Sequence, residues 1–182
     1  MAMCCIGKIP WQQFVTHVAG QMLGGVVAFP ALQTLAARLG WTPLGGPAVD
    51  AAIAGDALQE AVLHEFGATL LLCLGVFAIC LESPFKDIYP LKITCVAALI
   101  RFLIVYLGAA GPAINPMLAT TWALYATGSF PTFYQHYLVY WAAPLAAAVT
   151  AGFVYALLKL SLIHISEPTR QEAISYAVFC LK

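Results

Sequence analysis

The residues of this chain best suited to chemistry on a passing molecule form one run, Gly111-Pro112-Ala113-Ile114-Asn115-Pro116-Met117-Leu118-Ala119. Asparagine is a favoured N-cap, because its side chain can accept a hydrogen bond from the exposed N–H groups of the first turn. Proline suits the first helical position, where its missing N–H costs nothing. The pair Asn115-Pro116 therefore predicts a helix start, and the apolar run that follows predicts a helix over about 116–125. A helix that short cannot cross a hydrocarbon core of ~30 Å, yet it follows an apolar stretch, Ile93 to Tyr106, that reads as a membrane helix. The N-terminus of such a half-helix carries partial positive charge, and broken helices of this kind mark solute sites in transporters and channels. Irregular backbone at that depth is tolerated only where protein buries it or where it lines a cavity. The other reading of the run is a re-entrant turn in a polytopic protein of some other kind.

The class of the chain follows from composition. Of its 182 residues 62% are hydrophobic and 9% are charged, against about a quarter charged in a soluble domain. This is the composition of a membrane protein, and with its apolar runs read as helices the expected class is an all-α membrane protein. Its net charge of zero offers no basic surface to nucleic acid. The six cysteines lie scattered, without Cys-x-x-Cys pairs or histidines at ligand spacing, so neither a metal site nor a disulfide framework is expected. Cys73, Cys80 and Cys95 read as small packing residues inside apolar helices; acylation near a membrane surface is only a weak reading of the adjacent Cys4 and Cys5, which are left unexplained. Ser-His-Asp sets, paired catalytic carboxylates and phosphate loops cannot be assembled, so an enzyme is not expected, nor a cofactor.

The elements that must position the half-helix are four apolar spans, read at about 14–35, 58–81, 91–110 and 133–159, each long enough to cross a bilayer. In the first, Gly20 and Gly24 form a small-x-x-x-small pair that permits close helix packing in lipid, and Ala143, Ala147 and Ala151 do the same in the last. Pro30 is expected to kink the first span or to end it. Ionisable residues inside a span are costly and usually functional, which singles out Glu60, His64 and Glu65 near the start of the second span and Arg101 in the third. The plainer reading sets Glu60, His64 and Glu65 at the wet end of their helix. Arg101 calls for a carboxylate from the preceding helix or a contact between protomers. Tyr134, Tyr137, Tyr140, Trp141 and His136 read as an interfacial aromatic belt. Lys8, Lys86, Lys92 and Lys159 fall on one side if the first span leaves the cytosol, as the positive-inside rule favours.

The Gly111-Pro112-x-x-Asn115-Pro116 run resembles the second Asn-Pro-Ala loop of the aquaporin (major intrinsic protein) family. Val139-Tyr140-Trp141-Ala142-Ala143-Pro144, one helix further on, resembles the start of that family's last membrane helix. Gln21-x-x-Gly24 is similar to its third helix, and Glu65-x-x-x-Thr69-x-x-Leu72 matches its fourth. The resemblance covers about Trp11 to Lys159 and implies an aquaporin-like helical bundle, partial, with four spans and one re-entrant half-helix. The family's first two helices and first Asn-Pro-Ala loop have no counterpart, so an N-terminally truncated piece is expected. The resemblance implies a passive channel for water or a small neutral solute such as glycerol or hydrogen peroxide. In that channel the Asn115 amide donates to the solute, Pro116 fixes the helix start, Met117 and Leu118 line the pore, and Glu65, Thr69 and Gly111 support the loop. It also implies a homotetramer for the full-length protein. Met117 stands where the family has alanine and Leu118 where it has the filter arginine, changes found in the superaquaporins and small basic intrinsic proteins. These often reside in intracellular membranes, which makes the endoplasmic reticulum a candidate location beside the plasma membrane. The competing reading is a non-conducting structural or interaction protein on the same scaffold. Finally, Leu160 to Lys182 resembles a translated sequencing adapter and is expected to lie outside the native fold.

Overall fold

The computed structural model describes all residues except 42–45, 48, 85–86, 108–112 and 181–182, and describes 162–180 as backbone alone. A single turn, α1 (Ala2–Cys5), precedes the first long helix, α2 (Trp11–Leu39). Helix α3 (Gly55–Phe77) continues through a π-helical turn, Ala78–Glu82. Then come α4 (Tyr89–Tyr106), the short α5 (Pro116–Thr127), one turn of α6 (Tyr134–Tyr137), a second π-helical turn (Leu138–Ala142) and α7 (Ala143–Cys180). Among the described residues four helical stretches are long and apolar enough to cross a membrane: Trp11–Leu39, Gly55–Glu82, Tyr89–Tyr106 and Tyr134–Ser161. Together with the short α5 they make an all-α membrane bundle.

Several boundaries depart from the sequence reading. Helix α2 neither begins at 14 nor stops at Pro30; proline lies inside it and the helix runs on to Leu39, where Gly40 closes it in the left-handed region. A lost backbone bond is tolerated inside a lipid-embedded helix, where neighbouring groups satisfy what proline frees. Arg38 consequently sits in the last turn of α2, the end of the helix dipole that favours a cation. The third span begins at Tyr89, and its helix ends at Tyr106, not 110; 108–110 lie outside the described residues. The backbone of α7 continues as helix through Cys180, beyond the 159 expected.

The interior is built on small residues. Helices α3 and α7 pack along each other, and α2 packs on α5. Ala61 and Ala68 on α3 and Ala147 and Ala151 on α7 are buried, which lets backbones approach without large side chains, as helices in lipid prefer. One apolar cluster gathers at the half-helix end of this pair, around Ala61, Ala113, Ala119, Val139 and Tyr140. The other lies at the opposite end, around Phe77, Ala148, Ala151 and Ala2 of α1. Leu23, Val27 and Phe102, on α2 and α4, face outward. In lipid such a surface requires no cover.

Of the small-residue pairs, Ala143 and Ala147 are buried on α7. Gly20 and Gly24 are not used in the same way: a Cβ at either would meet nothing among the described residues. The close approach on α2 falls one residue further round, at Gly25, where a Cβ would collide with the Thr121 side chain of α5. Sequence spacing marked a small-residue face, but the position of α5 selects which glycine touches.

Candidate functional site

The site is built where the chain breaks between α4 and α5. Asn115 is extended (φ −151°) and its Oδ1 accepts the Met117 N–H at 3.1 Å, capping α5; Pro116 occupies the first turn. That bond fixes the amide's orientation, since the N–H needs an acceptor opposite it. Nδ2 therefore faces the other way and donates to Oε1 of Gln21 on α2 at 3.2 Å. An amide nitrogen carries two hydrogens, so one donor of Asn115 remains for a further partner. At ~18 Å for 12 residues, α5 is well short of the hydrocarbon thickness.

Two residues before Pro116, Ile114 has φ +52° and is the one described non-glycine residue with positive φ. For a β-branched side chain this is a strained conformation, which surroundings must hold. Glu65 of α3 does so. Its carboxylate accepts the Ala113 N–H at 2.7 Å and the Ile114 N–H at 3.0 Å, and the residue is 2% exposed. Consecutive N–H groups turned to one side form a concavity suited to an anion, filled here by a side chain of the protein itself. Its neighbour His64 places Nδ1 3.1 Å from the carbonyl oxygen of Leu107 at the end of α4, and its Nε2 lies 3.9 Å from Glu60. Helix α3 thus grips the chain on both sides of the break. Gly111, expected to support the same loop, lies outside the described residues. Thr69 is buried one turn along from Glu65, but its hydroxyl makes no hydrogen bond among the described residues.

Asn115, Pro116, Met117 and Leu118 line a cavity of about 700 Å³ together with Gln21, His17 and Thr69. Most of the remaining wall is apolar, from Leu72, Cys73 and Val76 of α3, Ile100 and Ile104 of α4, and Trp141, Pro144 and Leu145 of the last span. A cavity with this lining offers a small molecule few polar groups in an apolar wall.

Some residues read as peripheral are not. His136 and Tyr140, assigned to an interfacial belt, are buried at 3% and 1% exposure, whereas Tyr134 and Tyr137 are exposed. Proximity to α5 draws His136 inward. Trp141, also read as belt, is half-buried and donates Nε1–H to Thr120 of α5 at 2.9 Å. Arg101 is exposed on α4, with no ion pair among the described residues. The role of Gln21 as the partner of Asn115 was missed, because nothing local ties residues 94 positions apart.

Four membrane-length helices, with a short asparagine-capped one packed between the first span and the start of the last and a cavity at its tip, make a multi-pass membrane protein. The family model described as Major intrinsic protein matches residues 1–155. The chain belongs to the major intrinsic protein family, whose members are channels for water or small solutes. The match begins at Met1, ten residues before the resemblance read in the sequence, and ends ahead of the tail. No curated protein and no solved structure matches the chain.

Proposed function

We propose that the protein is a passive conduit for water or a small neutral solute such as glycerol or hydrogen peroxide, with Asn115 as its polar station. The observation that carries this reading is the Asn115 amide. Its oxygen is used as a helix cap, one nitrogen hydrogen is held by Gln21, and the residue lines an otherwise largely apolar cavity. The remaining amide hydrogen is the donor a solute oxygen needs. The positive end of α5 at the same place disfavours cations. Met117 and Leu118 supply apolar wall, and Leu118 in particular presents no charge where an arginine would restrict larger solutes. Glu65 holds the loop that presents the amide; the support expected of Gly111 falls outside the described residues, and Thr69 adds its buried side chain to the cavity wall without a hydrogen bond to the loop. The resemblance to divergent relatives makes an intracellular membrane such as the endoplasmic reticulum a candidate location beside the plasma membrane, and the family resemblance favours a homotetramer for the full-length protein.

The reading is tested by osmotic swelling of proteoliposomes. Vesicles containing the protein should swell faster than protein-free vesicles of the same lipid in both water and glycerol gradients. Equal rates in both would favour a non-conducting scaffold.

A further inference from the structure

We propose that the π-helical turn of the last span, together with Thr120, is a clamp that positions the tip of the half-helix, with Thr120, Trp141 and His136 as its positioning residues. This rests on the conduit reading, because the tip carries Asn115.

The clamp centres on one hydroxyl. Thr120, 4% exposed, donates its single proton to the carbonyl oxygen of Pro116 at 2.9 Å. Its oxygen can then only accept, and two donors face it: Nε1–H of Trp141 at 2.9 Å and Nε2 of His136 at 3.4 Å. Because the hydroxyl proton is committed, His136 must carry its own proton on Nε2 to make this contact. The hydroxyl is thereby fully used, and the first turn of α5 is tied to the start of the last span. The imidazole is in turn held edge-on by Phe133, Tyr137 and Tyr140, with ring centres 5.2 to 5.9 Å away.

The backbone explains how two residues five apart reach one atom. In an α-helix of 3.6 residues per turn, positions i and i+5 point in well-separated directions. Here Ala143 N–H bonds to the Leu138 carbonyl, the i→i+5 register of a π-helix, which widens the turn and brings His136 and Trp141 round to the same side. Pro144 supplies the cause. It has no N–H for the carbonyl of Tyr140, and its ring crowds that carbonyl in an α-helix; its side chain is fully buried, so it cannot swing clear. Trp141 also lines the cavity, so the same residue forms conduit wall and holds the half-helix.

The test compares Thr120→Val, which keeps the shape and removes the hydroxyl, with Thr120→Ser, which restores it, and with Trp141→Phe. In proteoliposomes of matched protein content, Thr120→Val and Trp141→Phe should lower solute permeability roughly threefold or more, the range of one hydrogen bond's effect on a population. Thr120→Ser should recover most of it, and the double variant should be no worse than the worse single one. Amide hydrogen exchange over 113–121 reads the clamp without any flux: it should rise in Thr120→Val and Trp141→Phe but not in Thr120→Ser. Unchanged exchange in Thr120→Val, a Thr120→Ser as altered as Thr120→Val, or additive losses in the double variant would overturn the clamp. Vesicles in which the unsubstituted protein carries no flux, with the exchange pattern as expected, would overturn the conduit reading and leave the clamp standing.

Discussion

Glu65 accepts the backbone N–H of Ile114 across 49 residues of chain, and Ile114 holds a left-handed conformation that isoleucine ordinarily avoids. The two facts belong together. A backbone turn that is unfavourable alone is held in place by a buried carboxylate accepting two consecutive N–H groups, and the turn sets the direction in which Asn115 enters α5.

Replacing Glu65 by glutamine should therefore loosen this loop. The new side chain has one acceptor oxygen for two N–H groups and sets an NH2 against the second. Removing a charged acceptor from buried donors costs about 2 kcal/mol. Thermal unfolding in detergent should show a clear fall in midpoint for Glu65→Gln, and hydrogen exchange should rise at 113–117. An unchanged midpoint and unchanged exchange would show that the loop does not depend on this residue.

The glycines of α2 give an independent check on packing. Gly25→Ala places a methyl group against Thr121, and overpacking of this kind costs about 1–3 kcal/mol. Gly20→Ala and Gly24→Ala meet open space among the described residues and should be neutral, or stabilising by up to about 1 kcal/mol through helix propensity. The reverse order in thermal unfolding of the monomer in detergent would mean that α2 is rotated from the orientation described.

Those glycines also show what a sequence can display and what it cannot. The membrane class and helical bundle follow from composition and apolar run length, which need no tertiary knowledge. The start of α5 obeys local rules, an asparagine cap followed by proline. Which face of α2 is touched, by contrast, depends on where α5 lies, and spacing alone pointed to Gly20 and Gly24. His136 and Tyr140 resembled a belt because aromatic clusters at helix ends usually are one; only the fold brings α5 over them. The π-turn was invisible to a reading based on 3.6 residues per turn, although Pro144 was its local cause. Gln21 drew notice only through a pattern, since a pairing over 94 residues leaves no local mark.

Leu118 carries the solute prediction. Leu118→Arg puts a guanidinium into the cavity wall, narrowing the passage and adding donors that suit water better than a carbon-bearing solute. The ratio of glycerol to water permeability should fall, by about fivefold or more if one residue dominates the constriction. Parallel swelling measurements in glycerol and in sucrose gradients give the ratio; an unchanged value would place the constriction elsewhere.

The central claim is that the free hydrogen of the Asn115 amide receives the permeating molecule at the electropositive tip of α5. Asn115→Asp keeps the helix cap, because a carboxylate oxygen can still accept the Met117 N–H, but it removes both amide hydrogens and adds negative charge. The swelling rate of proteoliposomes containing Asn115→Asp should fall to that of protein-free vesicles, with the protein incorporated and folded as before. Swelling as fast as with the unsubstituted protein would contradict the account.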